Sequence, residues 1–178
     1  MKNYCTTFVA ISALILVLGC SSLGYSIPHY ETLADKLTRK TAKKLEAQTG
    51  LYLIGTGGQM MDDIQKMMMG FAFYQVIDIE IARSLLVKSV EEYLSDINSN
   101  EEIRPYLHNY PFSAENIEIV IYFHSPDGSD VPPGKISIAA ANKGKVSYYI
   151  DYPEKHTIKP IHEENYQDAL RTVSLNAL

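Results

Sequence analysis

Residues 117–124 read Ile-Glu-Ile-Val-Ile-Tyr-Phe-His, so a large apolar side chain occupies every second position. Successive side chains of a β-strand point to opposite faces, and this alternation therefore predicts a strand with one buried face. The buried face is expected to hold Ile117, Ile119, Ile121 and Phe123. A Ser-Pro-Asp-Gly turn follows at residues 125–128.

The segments on either side of this strand predict the rest of the fold. In chain order they are a helix at 31–48, strands at 51–55 and 66–77, a helix at 79–97, a short helical piece, the strand at 117–124, strands at 135–141 and 145–152, and a helix at 162–173. Three consecutive strands joined by short turns predict an antiparallel meander with helices on one face. The predicted fold class is therefore α+β, a two-layer domain in which an antiparallel sheet of about five strands is covered by helices.

The helix predicted at 79–97 is the longest regular segment and is expected to cover the sheet. Asp78 suits the N-cap, because its side chain can accept a hydrogen bond from a free N–H of the first turn. Apolar residues recur on one side: Ile81, Ala82, Leu85, Leu86, Val90, Tyr93, Leu94 and Ile97. Arg83 and other charged residues are expected on the opposite side, and Leu85 and Ile121 are expected to pack in one core.

The N-terminus differs from the rest of the chain. Lys2 is followed by an unbroken run of apolar and small residues at 8–18. This run is too short for a membrane-spanning helix, which needs about 20 residues, but it fits the h-region of a secretory signal peptide. A buried core helix and an ordinary secretory signal are the alternatives. The lack of a polar side argues against the first, and a cysteine directly after the run argues against the second.

The run ends in Leu-Val-Leu-Gly-Cys at residues 16–20, which resembles the lipobox of bacterial lipoproteins. The resemblance implies a diacylglyceryl thioether on Cys20, cleavage after Gly19 and acylation of the new amino group. Several acyl chains give stable membrane attachment, whereas one gives only marginal binding. The implied organisation is a lipoprotein signal peptide at 1–19, a lipidated tether at 20–30 and a single α+β domain at 31–178. In lipoproteins that are retained in the inner membrane, an aspartate follows the lipidated cysteine. Here Ser21 occupies that position, so the outer membrane is the expected destination.

The chain has two cysteines, and this processing would remove both from thiol chemistry. Cys5 would leave with the signal peptide, and Cys20 would become a thioether. The mature domain would then form no disulfide and would depend on its hydrophobic core even in an oxidising compartment. A cysteine nucleophile is excluded for the same reason.

Two stretches of the domain carry a resemblance to a known family. One holds Ile-Arg-Pro-Tyr-Leu at 103–107, Tyr-Pro-Phe at 110–112 and Asn-Ile-Glu-Ile at 116–119, and the other is Gly-Gly-Gln-Met at 57–60. Together they are similar to a family of uncharacterised lipoproteins of Chlamydia-like bacteria. The resemblance implies a location in a Gram-negative cell envelope and brings no activity with it.

Charge is distributed unevenly along the chain. Residues 20–50 carry five basic and three acidic side chains, whereas residues 51–178 carry ten and eighteen. A domain with this excess of acidic side chains has no basic surface that could bind the phosphates of a nucleic acid. Nucleic acid is therefore excluded as a partner. The basic residues of the first helix recur at spacings of three and four: Lys36, Arg39, Lys40, Lys43 and Lys44. They predict a side that contacts anionic phospholipid, the alternative being an ordinary solvated helix face.

No catalytic, metal-binding or cofactor motif is complete. Gly-Thr-Gly-Gly at 55–58 lacks the lysine of a phosphate-binding loop, and a strand-to-helix turn is expected there. His-Glu-Glu-Asn-Tyr at 162–166 has tyrosine where the zinc-protease helix needs its second histidine. Adjacent acidic pairs such as Glu91 and Glu92 do not face each other on a helix. We therefore expect no cofactor and no metal.

Thirteen tyrosines and no tryptophan are present. Tyr74, Tyr122 and Tyr149, with Phe112, are candidates for an aromatic surface on the sheet face away from the helices, because tyrosine combines an apolar ring with a polar hydroxyl. The alternative is that these side chains rim the core and the edge strands.

Two hypotheses of function follow from these observations. The first is a membrane-anchored lipoprotein of the cell envelope that binds another envelope component, such as a protein partner, without enzymatic activity. The second is an envelope hydrolase that acts on cell-wall or lipid substrates. Its site would be assembled from distant residues, because carboxylates from separate segments can converge in a folded chain. A deep cleft with convergent His, Asp or Glu would favour the hydrolase, and exposed tyrosines would favour binding.

Replacement of the lipobox cysteine tests the anchor. Cys20→Ser removes the thiol that accepts the diacylglyceryl group, so this variant is expected to stay uncleaved by the lipoprotein pathway and to incorporate no radiolabelled palmitate. The matched Cys5→Ser variant keeps the lipobox and is expected to be labelled like the unaltered chain. An unaltered chain that takes up no palmitate would contradict the anchor.

Overall fold

The computed structural model describes residues 28–152 and 157–176. The predicted signal peptide, Cys20 and most of the predicted tether lie outside these residues. The elements are α1 (His29–Thr49), β1 (Tyr52–Gln59), β2 (Lys66–Phe73), α2 (Ile79–Ser99), β3 (Ile117–Phe123), β4 (Ile136–Asn142), β5 (Lys145–Tyr152), β6 (Thr157–Asn165) and α3 (Tyr166–Asn176), with 3-10 turns at Arg104–Tyr106 and Ala114–Asn116.

The described strands form one sheet in the order β1-β2-β3-β4-β5-β6. The three α-helices pack on this sheet, so the predicted α+β two-layer fold is confirmed. The sheet has six strands rather than about five, and it is mixed rather than antiparallel, because β2 and β3 pair in parallel. A parallel pair needs a long crossover connection, which the chain makes with α2.

Local turn chemistry sets several of the element boundaries. Asp78 caps α2 as predicted, accepting a hydrogen bond at 3.0 Å from a backbone N–H of the first turn. Gly50 ends α1 with φ of 77°, a left-handed conformation that glycine adopts at little cost. Lys143 and Gly144 join β4 to β5 with φ of 49° and 69°, the pair of positive angles that a type I′ hairpin turn requires.

The core lies between the sheet and the helices. One row of paired residues crosses four strands, and each member is fully buried: Phe71, Ile121, Ala139 and Tyr148. The predicted buried face of β3 is confirmed along its whole length, from Ile117 to Phe123. Across the core from the sheet, α2 buries Ala82, Leu86, Val87, Val90, Tyr93 and Ile97.

Three side chains of α2 differ from their predicted positions. Leu85 was expected in the core but is only partly buried, and Ile81 is 47% exposed. Arg83 was expected on the outer side, yet its Nε lies 2.7 Å from Glu164 Oε1 of β6. A wide apolar stripe at helical spacing does not specify which of its flanks meets the sheet. The predicted apolar side is therefore confirmed at Ala82, Leu86, Val90, Tyr93 and Ile97, and the prediction was wrong only at its Ile81 and Leu85 flank.

The C-terminal helix begins later than predicted. Residues 162–165, expected in its first turn, belong to β6, and α3 begins at Tyr166. β6 pairs with β5 along its length, and it is an edge strand, where Pro160 is tolerated. Pairing with a neighbouring strand, rather than local periodicity, gives this segment its conformation.

β1 is longer than predicted. Gly55–Gly58, expected as a strand-to-helix turn, continue the strand and pair with Met67–Gly70 of β2. The register shifts between Leu53 and Gly55, which indicates a bulge in the strand. Three glycines weaken a strand, and here the ladder with β2 compensates for them.

Truncation of two core residues tests this packing. Ile121 is fully buried, so Ile121→Ala is expected to lower the free energy of unfolding by about 2–5 kcal/mol. Leu85→Ala is expected to lower it by less than half as much, because Leu85 is only partly buried. Chemical denaturation of the two variants measures both losses. Equal losses, or a loss under about 1 kcal/mol for Ile121→Ala, would contradict the described core.

Candidate functional site on the open face of the sheet

The two faces of the sheet have different surroundings. The helices contact the face that carries Ile121 and Tyr148. Within residues 28–152 and 157–176 no helix covers the opposite face, which we call the open face. It carries the side chains of Ala72, Tyr122, Ile138 and Tyr149, together with the other strand residues whose side chains point away from the core.

A row of apolar and aromatic side chains crosses the open face. Strand register places it across all six strands: Tyr52, Ala72, Tyr122, Ile138, Tyr149 and Pro160. Tyr52 is 50% exposed and Tyr122 is 39% exposed. Beyond the end of β2, the Tyr74 ring lies between those of Tyr52, at 5.7 Å, and His124, at 5.5 Å. The open face therefore presents a row of apolar and aromatic side chains, with three neighbouring rings, Tyr52, Tyr74 and His124, at one end of it.

The open face is also almost free of net charge. β1 to β4 contain two charged residues, Lys66 and Glu118, and these pair with each other at 3.1 Å. Lys66 Nζ also donates a hydrogen bond to Asn142 at 3.0 Å. On β5 and β6, Lys145 Nζ donates to Glu163 at 2.9 Å, which lowers the pKa of Glu163. These pairings offset the charges at one end of the open face, and Asp151 of β5 adds a carboxylate on the same face as Tyr149.

The predicted aromatic surface is partly correct. Tyr74 and Tyr122 are exposed on the open face, and Tyr149 lies on it half-buried. Phe112 does not belong to it, because its side chain is buried in the core and its backbone N–H donates to the Asn98 side chain at 2.8 Å. Tyr52 was missed. Its position opposite Ala72 in the β1–β2 register would have identified it.

The five basic residues of α1 are all exposed, and two of them pair with carboxylates. Arg39 Nε lies 2.8 Å from Asp35, one turn earlier on the helix. Lys44 faces α2, where it pairs with Glu92 and lies 3.6 Å from Asp96. Lys36, Lys40 and Lys43 form no ion pair with any other described residue and lie opposite the buried side of α1.

A histidine and a carboxylate meet at one place outside the sheet. His108 Nδ1 lies 2.6 Å from Asp63 Oδ2, and this hydrogen bond holds the pKa of Asp63 below its ordinary value. Backbone hydrogen bonds of Ile64 join the same two loops, so the pair holds the loops together. The described residues contain no cluster of three or more His, Cys, Asp or Glu that could hold a metal.

The acidic residues of the 162–166 segment serve the packing of β6. Glu163 pairs with Lys145, while Glu164 accepts hydrogen bonds from Arg83 at 2.7 Å and from Tyr148 Oη at 2.8 Å. Successive side chains of a strand point to opposite faces, so the two carboxylates cannot act together on one substrate. His162 stacks on Tyr148 with 5.8 Å between ring centroids.

Comparisons with protein-family models, with curated proteins and with solved structures gave no match to this chain. Among the helices of residues 28–152 and 157–176, none is both long enough and apolar enough to cross a membrane.

Proposed function

We propose that this chain is a lipid-anchored lipoprotein of a bacterial cell envelope and that it acts as a non-enzymatic binding module. The observation that carries the proposal is the open face with its exposed tyrosines. Exposed tyrosine suits an interface, because the ring supplies apolar contact area and the hydroxyl keeps its hydrogen bonds.

The size of the open face supports an interface. Six strands of about seven residues, spaced about 4.8 Å apart, present a face of roughly 600 Å². This area, which includes the polar end that holds Lys66, Glu118 and Asn142, approaches the about 800 Å² that each partner buries in a stable complex. A protein partner that covers this face would bury nearly a standard interface.

The anchor is proposed on the lipobox sequence that ends at Cys20. Lipid on Cys20 would place the attachment point nine residues before the first residue of α1, His29. So short a connection would keep the domain close to the membrane surface. The outer membrane is the proposed destination, because Ser21 follows the cysteine.

Three basic residues of α1 give the domain a preferred orientation on this surface. Lys36, Lys40 and Lys43 would together gain about 3 kcal/mol near anionic lipid, at about 1 kcal/mol each. Arg39 and Lys44 contribute less, because nearby carboxylates offset their charges. Since α1 belongs to the helical layer, this orientation turns the open face away from the lipid, where a protein partner can reach it.

Site-specific photocrosslinking in the native envelope tests the binding role. A benzoylphenylalanine placed at Tyr122 or Tyr74 is expected to capture a protein adduct of the same partner mass from both positions. The matched position Lys88 lies exposed on α2 and is expected not to form that adduct. A Tyr122→Glu substitution is expected to remove the adduct formed from position 74, because a charge cannot be buried unpaired against an apolar partner.

Two outcomes would contradict the binding role. One is the absence of a protein adduct from both open-face positions in a chain that carries its lipid. The other is an adduct that forms equally from position 88, since this would mean that contact with neighbours does not depend on the open face.

A further inference from the structure

The two edges of the sheet differ in how they are protected. Unpaired backbone groups at a sheet edge attract other strands, and proteins suppress this with charges and proline. β6 carries both, with Lys159, Pro160 and two glutamates. β1 carries neither in its sequence Tyr-Leu-Ile-Gly-Thr-Gly-Gly-Gln. One edge of β1 pairs with β2, and no described strand pairs with its other, outer edge.

A groove runs between α1 and this edge. It has a volume of about 380 Å³, and its lining comes from both elements: Glu31, Ala34, Asp35 and Thr38 of α1, with Thr56, Gly57, Gly58 and Met60. Tyr30 Oη donates a hydrogen bond to the Met61 carbonyl at 2.9 Å, which holds the start of α1 against the segment after β1.

The floor of the groove is made of small residues. Thr56 and Gly58 pair with the buried Met69 and Met67, so they lie on the helix side of β1. A Cβ at Gly58 would lie 2.4 Å from the Lys66 carbonyl oxygen, which explains the glycine at this position. Small residues leave the edge backbone accessible to a second chain.

The wall of the groove is acidic. Glu31 and Asp35 lie one helical turn apart on the flank of α1 that faces β1. Arg39 pairs with Asp35, while Glu31 forms no ion pair within residues 28–152 and 157–176. The basic residues Lys36 and Lys40 lie on the other flank, near Asn100 and Glu102. A ligand in the groove would thus meet one carboxylate, that of Glu31, that is not offset by a described basic side chain.

We propose that an extended peptide binds here as a seventh strand, paired with the outer edge of β1. Alternate side chains of an added strand point to opposite faces. A lysine or arginine of the peptide lies under α1 and pairs with Glu31, whose carboxylate Arg39 leaves free by pairing with Asp35. The next residue along lies on the open face beside Met68 and is apolar. This inference rests on the proposed binding role and names the chemistry of one partner.

A second copy of the chain fits this edge less well. Antiparallel pairing of β1 with its own copy would bring the acidic flanks of two α1 helices together, and like charges in contact disfavour such a pair. Residues 20–27 of the chain itself contain no lysine or arginine. The occupant is therefore a basic, apolar segment of another protein.

Peptide binding to the full-length chain in detergent tests the proposal. The probe is a fluorescent octapeptide of alternating lysine and valine, followed by anisotropy. Two matched probes separate the contributions: one has glutamate in place of lysine, and the other is N-methylated at alternate residues and keeps its charge. Binding of the lysine probe is expected to be at least about tenfold tighter than that of either matched probe, a difference of about 1.4 kcal/mol.

Variants of the protein locate the site. Thr56→Lys places a positive charge in the groove and is expected to lower the affinity for the lysine probe about tenfold. The double variant Glu31→Gln with Asp35→Asn is expected to lower this affinity by about the same factor. The matched Ile161→Lys places the same charge on the other edge strand and is expected to leave binding within about twofold, because that edge is not used.

Three results would overturn the peptide site: no binding of the lysine probe, equal binding of the N-methylated probe, or equal weakening by Thr56→Lys and Ile161→Lys. The binding role of the open face is judged separately, by crosslinking from Tyr122. A failure of the peptide site with successful crosslinking would therefore remove this inference alone.

Discussion

The parallel pairing of β2 with β3 is the constraint on which the rest of the structure depends. Two parallel neighbours cannot be joined by a tight turn, so the chain must cross over one face of the sheet, and it does so with α2. Once α2 lies on that face, α1 and α3 pack beside it and complete one helical layer. The opposite face receives no helix from the described residues, and the exposure of Tyr52, Tyr74 and Tyr122 follows from this topology.

Much of the fold follows from local sequence, and the errors in the strands have one physical origin. The alternation at 117–124, the cap at Asp78 and the β4–β5 turn are local, and all three are confirmed. The parallel pair, the full length of β1 and the strand at 157–165 depend on pairing between distant segments, which local pattern does not specify. The same holds for the site: single tyrosines could be selected from the sequence, but the place of Tyr52 and the burial of Phe112 required the register.

Charge, shape and proposed anchor lead to one arrangement. The exposed lysines of α1 lie on the helical layer, whereas Lys66 and Glu118 pair with each other at one end of the open face. A domain attached through Cys20 would present its helices to anionic lipid and its aromatic face to the periplasm. The unprotected edge of β1 lies beside Tyr52, so a partner strand would extend the open face rather than occupy a separate site.

The most direct test is hydrogen exchange of the full-length chain in isolated native envelopes, compared with the same chain purified in detergent. A partner strand paired with the outer edge of β1 would accept hydrogen bonds from its outward amides and slow their exchange. Residues 52–59 are expected to exchange at least about tenfold more slowly in the envelope, while residues 157–165 exchange equally in both, because a stabilisation of about 1.4 kcal/mol corresponds to tenfold. Equal exchange of residues 52–59 in envelope and detergent would contradict the pairing of a partner strand with β1.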